Sequence, residues 1–116
     1  MEWSAEQVGR AYLIRLQGEF DEEAADRFRA HVDALLEQGG LRDLIVVMRE
    51  VTFIDSSGLG ALLGRYRRLQ AQGGRVLIVA PPRHVRAILE LSGVPKLIPI
   101  LRSERQALAA GVGGSP

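Results

Sequence analysis

The sequence predicts an α/β fold: one domain over residues 1–116, with a mostly parallel mixed β-sheet packed against about four α-helices. Three observations carry that expectation. Short runs of β-forming residues alternate with segments whose apolar residues recur every three or four positions. The runs "LIVVM" and "RVLIV" are unbroken, as in strands buried on both faces of a parallel sheet. The chain has 116 residues, enough for one domain with a real core and too few for a comfortable second.

The elements follow in order. A weak strand is expected around Trp3 to Val8, turning at Gly9-Arg10 into a firmer one from Tyr12 to Leu16. In "DEEAADRFRAHVDALLEQGG" the apolar stripe is Ala24, Ala25, Phe28, Val32, Leu35 and Leu36, which marks an amphipathic helix. Asp21 is its N-cap, Glu22 and Glu23 complement its positive end, and Gly39 or Gly40 ends it. "LRDLIVVM" is the next strand, and Val51 to Ile54 continue it towards the centre of the chain. Leu59, Leu62, Leu63, Tyr66 and Leu69 form a second helical stripe, stopped by Gly73-Gly74. "RVLIVA" is a strand closed by Pro81-Pro82, and a proline at a first helical position opens a helix with Val85, Ile88 and Leu89 inward. "SGVPKL" breaks that helix. "LIPIL" is a short strand whose Pro99 assigns it to an edge. Ser103 with Gln106 three residues on is a capping box opening a last helix that ends at Gly111. Residues 112–116 read as a flexible tail.

Composition removes several functions. Fifteen basic and 14 acidic residues leave a formal charge of +1, so there is no bulk attraction to nucleic acid or anionic lipid. The absence of cysteine excludes disulfides, zinc thiolates and thiol nucleophiles. The polar start "MEWSAEQVGR" lacks the layout of a secretion signal, and no apolar run approaches the ~20 residues that cross a bilayer. The location these features imply is the cytoplasm, and no cofactor is called for.

The central stretch "FIDSSGLGALLGRYRRL" places Asp55, Ser56 and Ser57 where a strand hands over to a helix. A cap and a close helix–sheet contact account for an acid and a glycine there. Gly58, Gly60 and Gly64 read G-x-G-x-x-x-G, one residue longer than a dinucleotide fingerprint, and the acid expected about 20 residues on is missing. No G-K-[ST] follows, so this is not a P-loop. The hydrolase elbow G-x-S-x-G is absent, and His31 and His84 have no base motif around them. No pair of residues has metal-ligand spacing. A phosphorylation switch uses all the remaining features. A serine in a first helical turn is exposed, free N–H groups tolerate an added anion, and about −1.5 to −2 charges would repel a closely packed partner. The residues alone leave Ser56 and Ser57 equivalent as acceptors.

"RLQGEFD", "FIDSSGLGALLGRYRRL" and "QGGRVLIVAPPRHVRAILELSGVPKLI" together resemble the STAS-domain anti-anti-sigma factors, with the nearest likeness to the anti-sigma-F factor antagonists of spore-forming bacteria. The resemblance runs from Tyr12 to Gly111. It implies a non-enzymatic α/β domain that binds an anti-sigma factor, itself a serine kinase carrying ATP or ADP, and thereby releases a sigma factor. The kinase would phosphorylate Ser56, the serine directly after the motif's Asp, and so switch binding off; a metal-dependent serine phosphatase would restore it. Asp21, the acid of the G-E-x-D segment, would serve kinase and nucleotide recognition. Asp55, Ser57, Gly58, Leu59 and Gly60 would face the partner. The L-G-R-Y continuation favours a sporulation pathway over a general stress-response pathway; a small nucleotide-binding α/β domain is the more distant alternative. Outside the motif, Arg65 to Arg68 ("RYRR") reads as the solvated second half of a helix, where positive charge suits the dipole.

Overall fold

The computed structural model describes residues 1–113. Five strands form one sheet in the order β1-β2-β3-β4-β5: β1 Glu2–Val8, β2 Ala11–Phe20, β3 Asp43–Ile54, β4 Arg75–Val79 and β5 Ile100–Leu101. β1 and β2 are an antiparallel hairpin; every later pairing is parallel. Four helices connect or follow them: α1 Glu22–Gln38, α2 Ser56–Ala71, α3 Arg83–Leu91 and α4 Glu104–Gly113.

Side-chain alternation along the strands separates two cores. Leu44, Val46 and Met48 of β3 join Phe28 and Val32 of α1, Ala61, Leu62 and Leu69 of α2, and Val85 and Leu89 of α3. Ile45 and Val47 point the other way, to Leu13, Leu77, Val79 and Ala107 of α4. Three helices therefore cover one face and α4 part of the other. This explains the unbroken apolar runs of β3 and β4.

Several boundaries depart from the expectations. β1 is a full seven-residue strand, because it pairs with β2 along its whole length although almost all its side chains are exposed. β3 does run on through Val51 to Ile54 as expected, carried past Met48 by pairing with β2 across two register shifts. Pro82 is the N-cap of α3 rather than its first helical residue. The "LIPIL" strand shrinks to Ile100–Leu101, since a 3-10 turn at Val94–Lys96 uses up its approach and Ile98 is buried instead. The Ser103–Gln106 box forms, with Ser103 Oγ accepting from the Gln106 N–H at 3.1 Å, while Gln106 reaches back to the N–H of Arg102. The stretch 112–116 overlaps the end of α4, and its remainder lies outside the described residues.

The "RYRR" segment is not simply solvated. Arg65 is only 8% exposed, and its Nε lies 3.1 Å from Asp33 Oδ1 on α1. Arg68 Nη1 lies 2.7 Å from the same oxygen. Both contacts are made off the hydrogen-bond axis, leaving Arg65 Nε and Nη1 without an aligned acceptor. Burial pushes the Arg65 guanidinium below its ordinary value, and Asp33 opposes that shift. The helical period placed Arg65 on the α1 side of α2, where only a charge partner makes burial tolerable.

Two features hold the ends of the helices that matter below. At α2, a Cβ on Gly58 would sit 2.6 Å from the Phe20 carbonyl oxygen and 2.9 Å from Ile54 Cγ1, closer than any side chain can approach. At α4, Arg15 on β2 grips both oxygens of Glu104 at 2.8 and 2.7 Å and also reaches Glu6 at 3.0 Å.

Two predictions follow from these contacts. Gly58→Ala forces the first turn of α2 off the end of β2 and should cost about 2 kcal/mol or more in urea unfolding; a loss under about 0.5 kcal/mol would show that the contact yields freely. The Arg15 hydrogen bonds hold Glu104 below its ordinary 4.5. A carboxylate depressed on folding contributes stability above its unfolded value and loses it as the pH falls through the folded one. The stability difference between wild type and Glu104→Gln should therefore be full at neutral pH and shrink below about pH 4.5. A gap independent of pH would contradict it.

Candidate functional site

The parallel strands all end at one pole of the sheet, and the helices that follow them begin there. β2 ends at Phe20 and β3 at Ile54, so the N-caps of α1 and α2 are Asp21 and Asp55 on adjacent strands. Both residues have extended backbone, as a cap requires. Asp21 Oδ1 accepts from the Ala24 N–H at 3.0 Å. Asp55 Oδ1 accepts from the N–H groups of Ser57 at 2.9 Å and Gly58 at 3.2 Å.

Ser56 is the first residue of α2 and is exposed. No hydrogen bond within the described residues occupies its hydroxyl. Ser57 is half-buried. Gly58 is buried against Phe20 and contributes the close approach of α2 rather than open surface. Leu59 is half-buried and packs against the main core. Gly60 is exposed, and a Cβ added to it would meet nothing within 4 Å. The fold therefore needs the glycine at position 58 and gives no reason for the one at 60, where helix propensity disfavours it.

The two caps share an open groove of about 450 Å³ lined by Asp21, Glu22, Glu23, Asp26 and Asp55. All five are acids, so the groove repels phosphates and carboxylates and suits cationic side chains. The sequence pattern explained Glu22 and Glu23 by the helix dipole alone and passed over Asp26. The signal that unites them is topological: adjacent parallel strands that end together bring their caps together.

The geometry also corrects one assumption about the first turn of α2. The sequence expectation had free N–H groups ready to soothe an anion on Ser56. Asp55 already occupies those of Ser57 and Gly58. A phosphoryl group on Ser56 would stand out from the helix beside the groove, with its charge largely uncompensated by the helix end.

Phe53 is a further feature that periodicity did not single out. It is 43% exposed, three residues before Ser56, on the part of β3 that runs beyond its pairing with β4. Among the described residues no cluster of side chains has metal-holding geometry, and no helix is long and apolar enough to cross a membrane.

Comparison with known proteins places this architecture. The family model described as the STAS domain matches residues 2–107. The anti-sigma F factor antagonist of Paenibacillus polymyxa is 35% identical over 98 residues, covering 83% of this chain and 82% of that protein. The anti-sigma factor antagonist SpoIIAA in its unphosphorylated form superposes with a TM-score of 0.87 at 33% identity, over 97% of each chain. The Bacillus cell fate determinant SpoIIAA in the phosphorylated form gives 0.76 at 30% identity, over 92% of this chain and 96% of that one. With its cap-to-cap pole, its five-stranded mixed sheet and its four helices, the chain is a member of the STAS domain family, among the anti-sigma factor antagonists.

Proposed function

We propose that this protein antagonises an anti-sigma factor by reversible docking, and that phosphorylation of Ser56 switches the docking off. One observation carries the reading: Ser56 presents a free hydroxyl at the start of α2 while its neighbour Asp55 is committed to the helix cap. Relatives are named for antagonism of anti-sigma factors, and one similar protein is known in unphosphorylated and phosphorylated forms. In this reading the unphosphorylated face, with Asp21, Asp55, Ser57, Leu59 and Gly60 around Ser56, accepts a serine kinase that is also the anti-sigma factor. Gly58 holds the turn in place from below. The kinase brings ATP and the catalytic groups; this chain brings the acceptor and the surface.

The switch then works by the bulk of the added group at the contact and by repulsion of any acid that faces Ser56. Transfer of the terminal phosphoryl of ATP to the Ser56 oxygen releases ADP and the hydroxyl proton. It puts close to two negative charges beside a groove that already holds five acids. A partner that met this face with cations now finds its contacts sterically displaced, and any acidic rim on it is repelled. A serine phosphatase hydrolyses the ester and returns the hydroxyl. The sporulation branch is favoured by the identity with anti-sigma F factor antagonists.

Two measurements test the reading. Incubated with the anti-sigma kinase of its own genome and ATP, the protein should gain one phosphoryl group at Ser56. Ser56→Ala should bind without being labelled, and Ser56→Asp should bind at least tenfold more weakly, a loss of about 1.4 kcal/mol. Label on Ser57, or equal affinity of the two variants, refutes the assignment. Gly60→Ala separates surface from scaffold: it should raise stability by about 0.5–1 kcal/mol while weakening the complex, because the added methyl group intrudes only on a docked partner. A variant that binds normally would remove Gly60 from the interface.

A further inference from the structure

The pole that carries Ser56 is electrically divided. The acidic groove lies at the start of α1 and α2. At the start of α3 the sign reverses: Arg83 and His84 are its first two residues, both are exposed, and the first turn contains no acid. Arg102, just before α4, is exposed too. A basic first turn runs against the helix dipole, which prefers acids at that end. Of the other helices that begin at this pole, α1 carries Glu22 and Glu23 and α4 carries Glu104 in the first turn, and α2 has the acid Asp55 as its N-cap with no charge in the turn itself. Among the described residues Arg83 takes part in no ion pair. The fold therefore gains nothing from a positive charge at that position.

The position itself is well fixed. His84 Nε2–H donates to the Thr52 carbonyl oxygen at 2.8 Å, which seats the first turn of α3 on the last residues of β3. Thr52 precedes Ser56 by four residues, so the chain keeps the two within about 14 Å. A standard interface covers about 800 Å² on each partner, a disc roughly 30 Å across. A protein docked on Ser56 thus reaches the first turn of α3.

We propose that Arg83 is an orientation-setting contact for the anti-sigma factor: it meets an acidic surface on that partner, while the groove on the other side of Ser56 meets a basic one. The inference rests on the partner-docking reading given above and adds to it a second pole of charge. Opposite signs on the two sides of the acceptor serine allow one docking orientation and repel the reversed one, as well as partners whose charges are arranged differently.

The test measures binding of wild type, Arg83→Gln, Arg83→Glu and Arg67→Glu to the anti-sigma factor of the same genome, at low and high salt. Arg67 is exposed on α2 and lies about 16 Å along the helix from Ser56, so its reversal makes the same change in net charge away from the face. Arg83→Glu should raise the dissociation constant at least fivefold at low salt, with a smaller ratio at high salt, and Arg83→Gln should fall between it and wild type. Arg67→Glu should stay within twofold of wild type. The thermal midpoint of Arg83→Glu should not fall, since an acid suits the helix end, so lost affinity cannot be lost folding. Arg83→Glu within twofold of wild type, or Arg67→Glu losing as much, overturns the proposal while leaving the Ser56 switch intact. A wild type that does not bind overturns the docking reading and this inference with it.

Discussion

The contact on which the rest of the site depends is the one between Gly58 and the carbonyl of Phe20. The missing side chain lets the first turn of α2 rest directly on the end of β2. Phe20 is itself fixed from the other side, its ring meeting Phe28 of α1 edge-on at 5.3 Å. One residue beyond Phe20 the chain turns into the cap of α1; three residues before Gly58 it turns into the cap of α2. The shared groove of Asp21 and Asp55 is thus a consequence of packing, set by how closely a helix can approach a neighbouring strand.

Asp55 then divides the labour at the motif. Its carboxylate satisfies two N–H groups that the start of a helix leaves without partners. With those donors taken, the hydroxyl of Ser56 is not drawn into the cap. The arrangement divides two adjacent residues: the acid completes the fold, and the serine hydroxyl stays exposed. It also sets the sign of the proposed switch. An anion added to a free helix end would be partly neutralised there; beside an occupied one it keeps most of its charge for the encounter with a partner.

Much of this was legible in the sequence, and the failures have physical causes. The helical stripes of α1 and α2, the caps at Asp21 and Asp55 and the buried strands β3 and β4 follow from period and local chemistry, which the chain carries at short range. β1 was underestimated because its stability comes from pairing with β2, and nothing in "EWSAEQV" records that partner. The fate of Arg65 was unreadable for the same reason: whether an arginine is solvated or buried depends on Asp33, more than thirty residues away on another helix. Ser56 and Ser57 could not be told apart by period, since both sit in the first turn; the structure distinguishes them by exposure, Ser56 being open and Ser57 half-buried. The acidic groove lay hidden although four of its five members were seen, because adjacency across a parallel sheet is a property of topology.

The same long-range packing bears on how a signal at Ser56 would travel. α2 is held at its start by the Gly58 contact, midway by Arg65 and Arg68 on Asp33, and near its end by Leu69 in the core. Two cations brought to one carboxylate, one of them buried, are a costly way to gain stability. What such a cluster does well is fix a register, because sliding α2 along α1 would leave a buried guanidinium with no counter-charge at all. The packing consequently offers α2 no second seat of comparable energy. A ligand or a modification can shift a conformational equilibrium only where a second state lies within reach. On a helix anchored in this way, the proposed phosphorylation would have little shape to change, and its effect would be exerted through the charge and bulk presented at the surface.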